Sequence, residues 1–176
     1  MKLSILDLII DNEGGYDNIY TADGTNTRCG ITWEHNQGFY NTHGIFKPED
    51  IGSLSNENID KFYEGELGRS EAGKMPFKIG YHFLDHCINA GRGIAVELMQ
   101  QAINLIDPAA GLEIDGVFGP NTTREFNAVN SPNNLLLVYK AMRIGYYTGQ
   151  YHIKLKKDPI HAKNCLESWT RRVSRL

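Results

Sequence analysis

From Phe77 to Ile106 the apolar residues recur at three- and four-residue steps: Leu84, Cys87, Ile88, Gly91, Ala95, Leu98, Met99, Ala102 and Ile106. That period places them on one face of a helix. Gly91 and Gly93 fall in the middle, and glycine inside a helical pattern marks a kink or a break. A chain holding about thirty residues of this kind must bury them against other helices, so the sequence predicts a mainly α protein.

The flanking segments agree. Leu3, Leu6, Ile10 and Glu13 fall at helical spacing, with Ile9 beside them, and Gly14-Gly15 follows as a stop signal. Residues 14–32 are rich in Gly, Asn, Thr and Asp and read as an irregular or hairpin-like stretch, with Asp23-Gly24 as a turn. Further helices are expected over Trp33 to Tyr40, after Pro48-Glu49-Asp50, over Ser55 to Leu67, and at about Thr122 to Val129, Asn134 to Tyr147 and His161 to Val173. Gly119-Pro120 suits the opening of a helix, because proline fits its first turn.

Composition narrows the classes of function. Hydrophobic residues at 41% and charged residues at 22% are those of a globular chain. A net charge of −3 argues against nucleic acid as a partner, since phosphate recognition needs a clustered positive surface. Three widely spaced cysteines without a CxxC predict free thiols rather than a disulfide framework or a zinc site. The opening MKLSILDLIIDNEGG has an early Asp7 and no small-residue cleavage site after an apolar run, so no signal peptide and no membrane insertion are expected.

Two stretches carry chemistry. In Asn12-Glu13-Gly14-Gly15-Tyr16, Glu13 ends an apolar helical face. Apolar surroundings and the negative end of the helix both favour a protonated carboxyl. Such a group can protonate the leaving oxygen of a glycosidic bond. Gly14 and Gly15 leave room for a bulky chain to approach, and Tyr16 or Trp33 offers an aromatic face for a sugar ring. The plainer readings are an exposed glutamate at a helix end and ordinary aromatic packing. The second stretch, 22–32, brings Asp23 and Thr27 close behind Glu13 in sequence. A second carboxylate could activate water, and the Thr27 hydroxyl could hold it. Asp-Gly turns are common in their own right, so a turn role for Asp23 stays open. Asn89, beside Gly91, either reaches a sugar N-acetyl group or terminates its helix. His82 and His86 stand four apart, a spacing zinc can use, but the inner glutamate of H-E-x-x-H is absent and no metal is expected. Cys29 with a histidine would make a peptidase, although no spacing fixes such a pair.

Taken together, Glu13-Gly14-Gly15-Tyr16 and the Gly/Thr-rich stretch ending in Gly30-Ile31-Thr32 resemble the N-acetylmuramidases of glycoside hydrolase family 108. The likeness continues through Phe83-Leu84-Asp85, Asn89-Ala90-Gly91 and Leu98-Met99-Gln100-Gln101-Ala102. It extends to Asp115-Gly116-Val117-Phe118-Gly119-Pro120-Asn121-Thr122, to Arg143 with Tyr146-Tyr147, and to Ser168-Trp169-Thr170-Arg171-Arg172-Val173. Where the family has D-P-G-G-x-T, this chain has Ala22-Asp23-Gly24-Thr25-Asn26-Thr27.

The resemblance implies a lysozyme-like fold, mainly α, with a small irregular or β element after the first helix. It implies one compact unit over 1–176, with a catalytic part at 1–107 and a peptidoglycan-binding-like subdomain at 108–176. The activity implied is cleavage of the β-1,4 bond between N-acetylmuramic acid and N-acetylglucosamine. Glu13 is the acid, Asp23 and Thr27 complete the catalytic set, and Gly15, Tyr16, Thr32 and Asn89 contact the glycan strand. No cofactor is implied. The alternatives are a lytic transglycosylase, or a non-catalytic protein that binds the wall or assists secretion. With no export signal expected, a product of the bacterial cytoplasm, phage or prophage encoded, would need a holin or a secretion machine to reach the wall.

Overall fold

A computed structural model describes residues 3–20 and 26–176, leaving out the Tyr20 side chain. Asp23 therefore lies outside the described residues. The chain forms two compact units, 1–69 and 70–176. The boundary expected at 107/108 falls inside the second.

The first unit begins with α1 (Ile5–Asn12). Ser4 and Asp7 form a reciprocal capping box: the Ser4 hydroxyl accepts from the Asp7 N–H at 3.1 Å, and the Asp7 carboxylate accepts from the Ser4 N–H at 2.7 Å. The cap starts the helix after Leu3, which is 57% exposed. This corrects the expected buried face: Leu8, Ile9 and Ile10 enter the core, and Leu3 does not. Glu13 is the C-terminal cap, its N–H donating to the Ile9 carbonyl at 3.0 Å.

Three two-residue strands follow: β1 (Ile19–Tyr20), β2 (Thr27–Arg28) and β3 (Ile31–Thr32), paired antiparallel in chain order. Thr27 faces Thr32, and Arg28 faces Ile31. Only Cys29 and Gly30 connect β2 to β3, and both have positive φ, +47° and +75°, the requirement of a two-residue type I′ hairpin turn. Beyond the hairpin come α2 (Trp33–Thr42), a 3-10 turn at Pro48–Ser53 and α3 (Asn56–Ser70), whose last residue crosses into the second unit. Tyr40 and Tyr63 are fully buried, and each spends its hydroxyl on the hairpin: Tyr40 donates to the Ile31 carbonyl at 2.7 Å and Tyr63 to the Cys29 carbonyl at 2.6 Å. Trp33 packs on Tyr40 with ring centres 5.4 Å apart, which agrees with the plainer reading of that residue.

In the second unit the long periodic segment is two helices, α4 (Phe77–Ala90) and α5 (Arg92–Ile106). They part at Gly91, whose φ of +89° a side chain would resist. Residues 79–87 of α4 are all buried, polar ones included. Then come α6 (Pro120–Ala128), α7 (Pro132–Leu155) and α8 (Pro159–Ser174). Helix α7 runs eight residues beyond the expected Tyr147, because Gly145 and Gly149 do not break it. Helix α8 returns along α7, with Trp169 stacked on Tyr147 at 4.9 Å and 13°.

The loop before α6 is fixed by one side chain. Buried Gln100 donates to Asp115 Oδ1 (2.7 Å), the Val117 carbonyl (3.1 Å) and Thr122 Oγ1 (3.1 Å), and accepts from the Asp115 and Gly116 N–H groups. The Gln100 amide, then the Val117 N–H, holds the Asp115 carboxyl below the usual carboxylate range. Within this unit the Asp-Gly-x-x-Gly-Pro segment is architecture. Among the described residues no helix is long and apolar enough to cross a membrane.

Candidate active site

The centre of interest in the first unit is the meeting of the α1 terminus with the β2–β3 hairpin. Glu13 is half-buried there. A Cβ built on Gly30 would lie 2.9 Å from both Cγ and Cδ of Glu13, with Oε2 nearer still. The Glu13 side chain thus rests against the bare Cα of the hairpin turn.

Asn18 ties the two segments together. Its Nδ2 donates to the Glu13 carbonyl at 2.6 Å, and its own carbonyl accepts from the Cys29 N–H at 2.7 Å. With the Tyr40 and Tyr63 hydroxyls on the neighbouring carbonyls, the turn opposite Glu13 is held from three sides. Cys29 is fully buried, and its thiol is pushed up to about 11, first by burial and then by the nearby Glu13. A thiol in that state is a poor nucleophile, which weighs against the peptidase reading.

The other expected site residues divide. Thr27 sits on β2 with Oγ1 buried and without a hydrogen-bond partner among the described residues. Its cross-strand neighbour Thr32 shares a hydrogen bond of 3.1 Å with His35 Nδ1. Among the described residues nothing lies within 4 Å of the position a Gly15 side chain would take, so the backbone there is open to approach on their side. Tyr16 is half-buried, and its hydroxyl donates to Asp60 Oδ1 at 2.5 Å. That bond, then burial, pushes the phenol up to about 12, so Tyr16 presents its ring with the hydroxyl already committed. Asn89 belongs to the second unit and donates Nδ2 to the Asp85 carbonyl at 2.7 Å, as a residue ending its helix does. His82 and His86 face Arg143 and Tyr139 through Nδ1, each at 3.0 Å.

Sequence reasoning missed Gly30, Asn18 and Asp60 as neighbours of the site. Gly30 was part of the Gly30-Ile31-Thr32 signature, but its closeness to Glu13 joins residues seventeen apart and has no local signal.

The family model described as glycosyl hydrolase 108 matches residues 6–91, which take in α1, the hairpin and the helices through α4. Over that stretch the chain is similar to glycosyl hydrolase family 108. The match supports a glycoside hydrolase by class. Among solved structures, one titled "Structure of Brucella abortus SagA" superimposes with a TM-score of 0.65 at 17% identity, covering 96% of this chain and 91% of that one. At that identity the likeness is one of fold. The fold is mainly α and lysozyme-like, with the small β element directly after α1, as the glycosyl hydrolase 108 resemblance implied. No curated protein matches the chain.

Proposed function

We infer that the protein is a peptidoglycan hydrolase, an N-acetylmuramidase cleaving the β-1,4 bond between N-acetylmuramic acid and N-acetylglucosamine. The observation carrying this reading is the seat of Glu13: a half-buried carboxyl at the end of α1, packed on Gly30 and flanked by the open backbone at Gly15. The family match supports the glycosidase chemistry.

In this mechanism Glu13 donates a proton to the glycosidic oxygen as the bond to the anomeric carbon breaks. The sugar passes through an oxocarbenium-like state that a nucleophile then captures. Asp23 is the second carboxylate, and Thr27 Oγ1, lacking a partner among the described residues, has hydrogen-bonding capacity to hold water. Gly15, Tyr16 and Thr32 line the approach of the glycan strand, while Asn89 holds its own helix end. The catalytic part at 1–107, with 108–176 as a wall-binding subdomain, belongs to the same proposal.

Purified sacculi, incubated with wild-type protein and with Glu13→Gln, test it. New reducing ends at N-acetylmuramic acid with the wild type, and a loss of about 100-fold or more with the variant, are expected. Products ending in 1,6-anhydro rings would mean a transglycosylase. Sacculi bound but uncut would mean a wall-binding protein.

A further inference from the structure

We propose that Gly30 is a positioning residue for Glu13: its missing side chain makes the space in which the catalytic carboxyl is held. The proposal rests on Glu13 being the acid.

Two requirements coincide at residue 30. The backbone has φ +75°, a conformation that L side chains rarely adopt. Independently, any Cβ would stand 2.9 Å from Glu13 Cγ and Cδ, nearer than real Cβ contacts come. The first requirement alone is met at Gly44, with φ +76° and, among the described residues, nothing within 4 Å of a built Cβ. Gly30 therefore does something that turn geometry does not ask for.

The hairpin cannot retreat to make room. The Cys29 N–H is bonded to Asn18, the Cys29 carbonyl to Tyr63 and the Ile31 carbonyl to Tyr40. Asn18 also grips the Glu13 carbonyl, so the backbone of Glu13 and the turn are fixed to one another. With both backbones held, the Glu13 side chain is the part left to move. A side chain at residue 30 changes the rotamer of Glu13 and carries its carboxyl away from the glycosidic oxygen. Proton donation depends on that placement, and a displacement of about 1 Å can cost about 100-fold in rate.

The test compares Gly30→Asn with Gly44→Asn, since asparagine tolerates positive φ better than other residues that carry a Cβ. Soluble glycan strands are the substrate, and thermal unfolding is followed alongside. Gly30→Asn is expected to lower kcat about 100-fold with KM little changed. Gly44→Asn is expected to keep the wild-type kcat and KM. Gly30→Ala, with the smallest side chain that reaches Glu13, is read in the same way. A folded Gly30→Asn with kcat within about threefold of wild type overturns the proposal. So does failure of both Gly30 variants to fold while Gly44→Asn folds, because the role is then in the fold. Normal turnover by Glu13→Gln strikes the functional reading itself, and the two failures are thereby distinct.

Discussion

Arg172 donates to Asp85 Oδ1 at 3.1 Å across 87 positions of sequence, in an interior where Asp85 has no exposed surface. Arg143 holds the other carboxylate oxygen, so one buried carboxylate joins α4, α7 and α8. Burial opposes the charge on Asp85, but Arg143 and then Arg172 outweigh it and keep the carboxyl below its ordinary range. Phe83-Leu84-Asp85, Arg143 with Tyr146-Tyr147, and Trp169 to Val173 are separate signatures in sequence that close into one cluster.

Asp85→Asn keeps the shape and leaves two buried guanidinium groups without their counter-ion. Removing one partner of a buried ion pair costs about 3–5 kcal/mol. A denaturant midpoint lowered accordingly, at unchanged slope, is the expected result. A cost below about 1 kcal/mol would show that the cluster contributes little.

The two histidines of α4 set an acid sensitivity. His82 and His86 are fully buried, and burial first, then Arg143, pushes both down to about 3. Unfolded, they titrate near ~6.5. Between those values the unfolded chain binds more protons than the folded one, so stability is fullest above ~6.5 and falls as pH drops towards about 3. From pH 7 to pH 5 the loss is on the order of 2 kcal/mol per histidine. Unfolding free energies at the two pH values check this, and His86→Phe is expected to flatten the slope.

Thr27→Val separates stability from activity. Its hydroxyl oxygen is buried without a partner among the described residues, and removing an unpaired buried polar atom is neutral or stabilising. The melting temperature is expected to hold or rise while kcat falls about tenfold or more, if the hydroxyl holds a reacting water. Unchanged turnover would remove Thr27 from the catalytic set.

The cysteines differ in access. Cys29 and Cys87 are buried and Cys165 is half-exposed beside His161, its Sγ 3.4 Å from Nε2. Alkylation of the native protein, read by intact mass and peptide mapping, is expected at Cys165 first with hydrolysis unaffected. Cys29→Ala is also expected to remain active. Loss of activity tracking modification of Cys29 would revive the peptidase reading.

The sequence by itself determined the helices, because each carries its own signals. The period of 77–106, the break at Gly91, Pro120 in a first turn, and the glycines behind Glu13 are all local. It also placed Glu13 at the end of an apolar helix, a feature of a few adjacent residues. The start of α1 was misjudged because a capping box outranks apolar periodicity: once Ser4 and Asp7 bond one another, Leu3 is outside the helix. Only the tertiary structure decided what stands beside what. Gly30 under Glu13, Asn18 between them, Tyr16 on Asp60 and Asp85 between Arg143 and Arg172 are contacts made after the chain has turned back on itself. Residue types limit such pairings but do not select them. Selection comes from burial, which leaves a polar group only the partners that packing brings within hydrogen-bond reach.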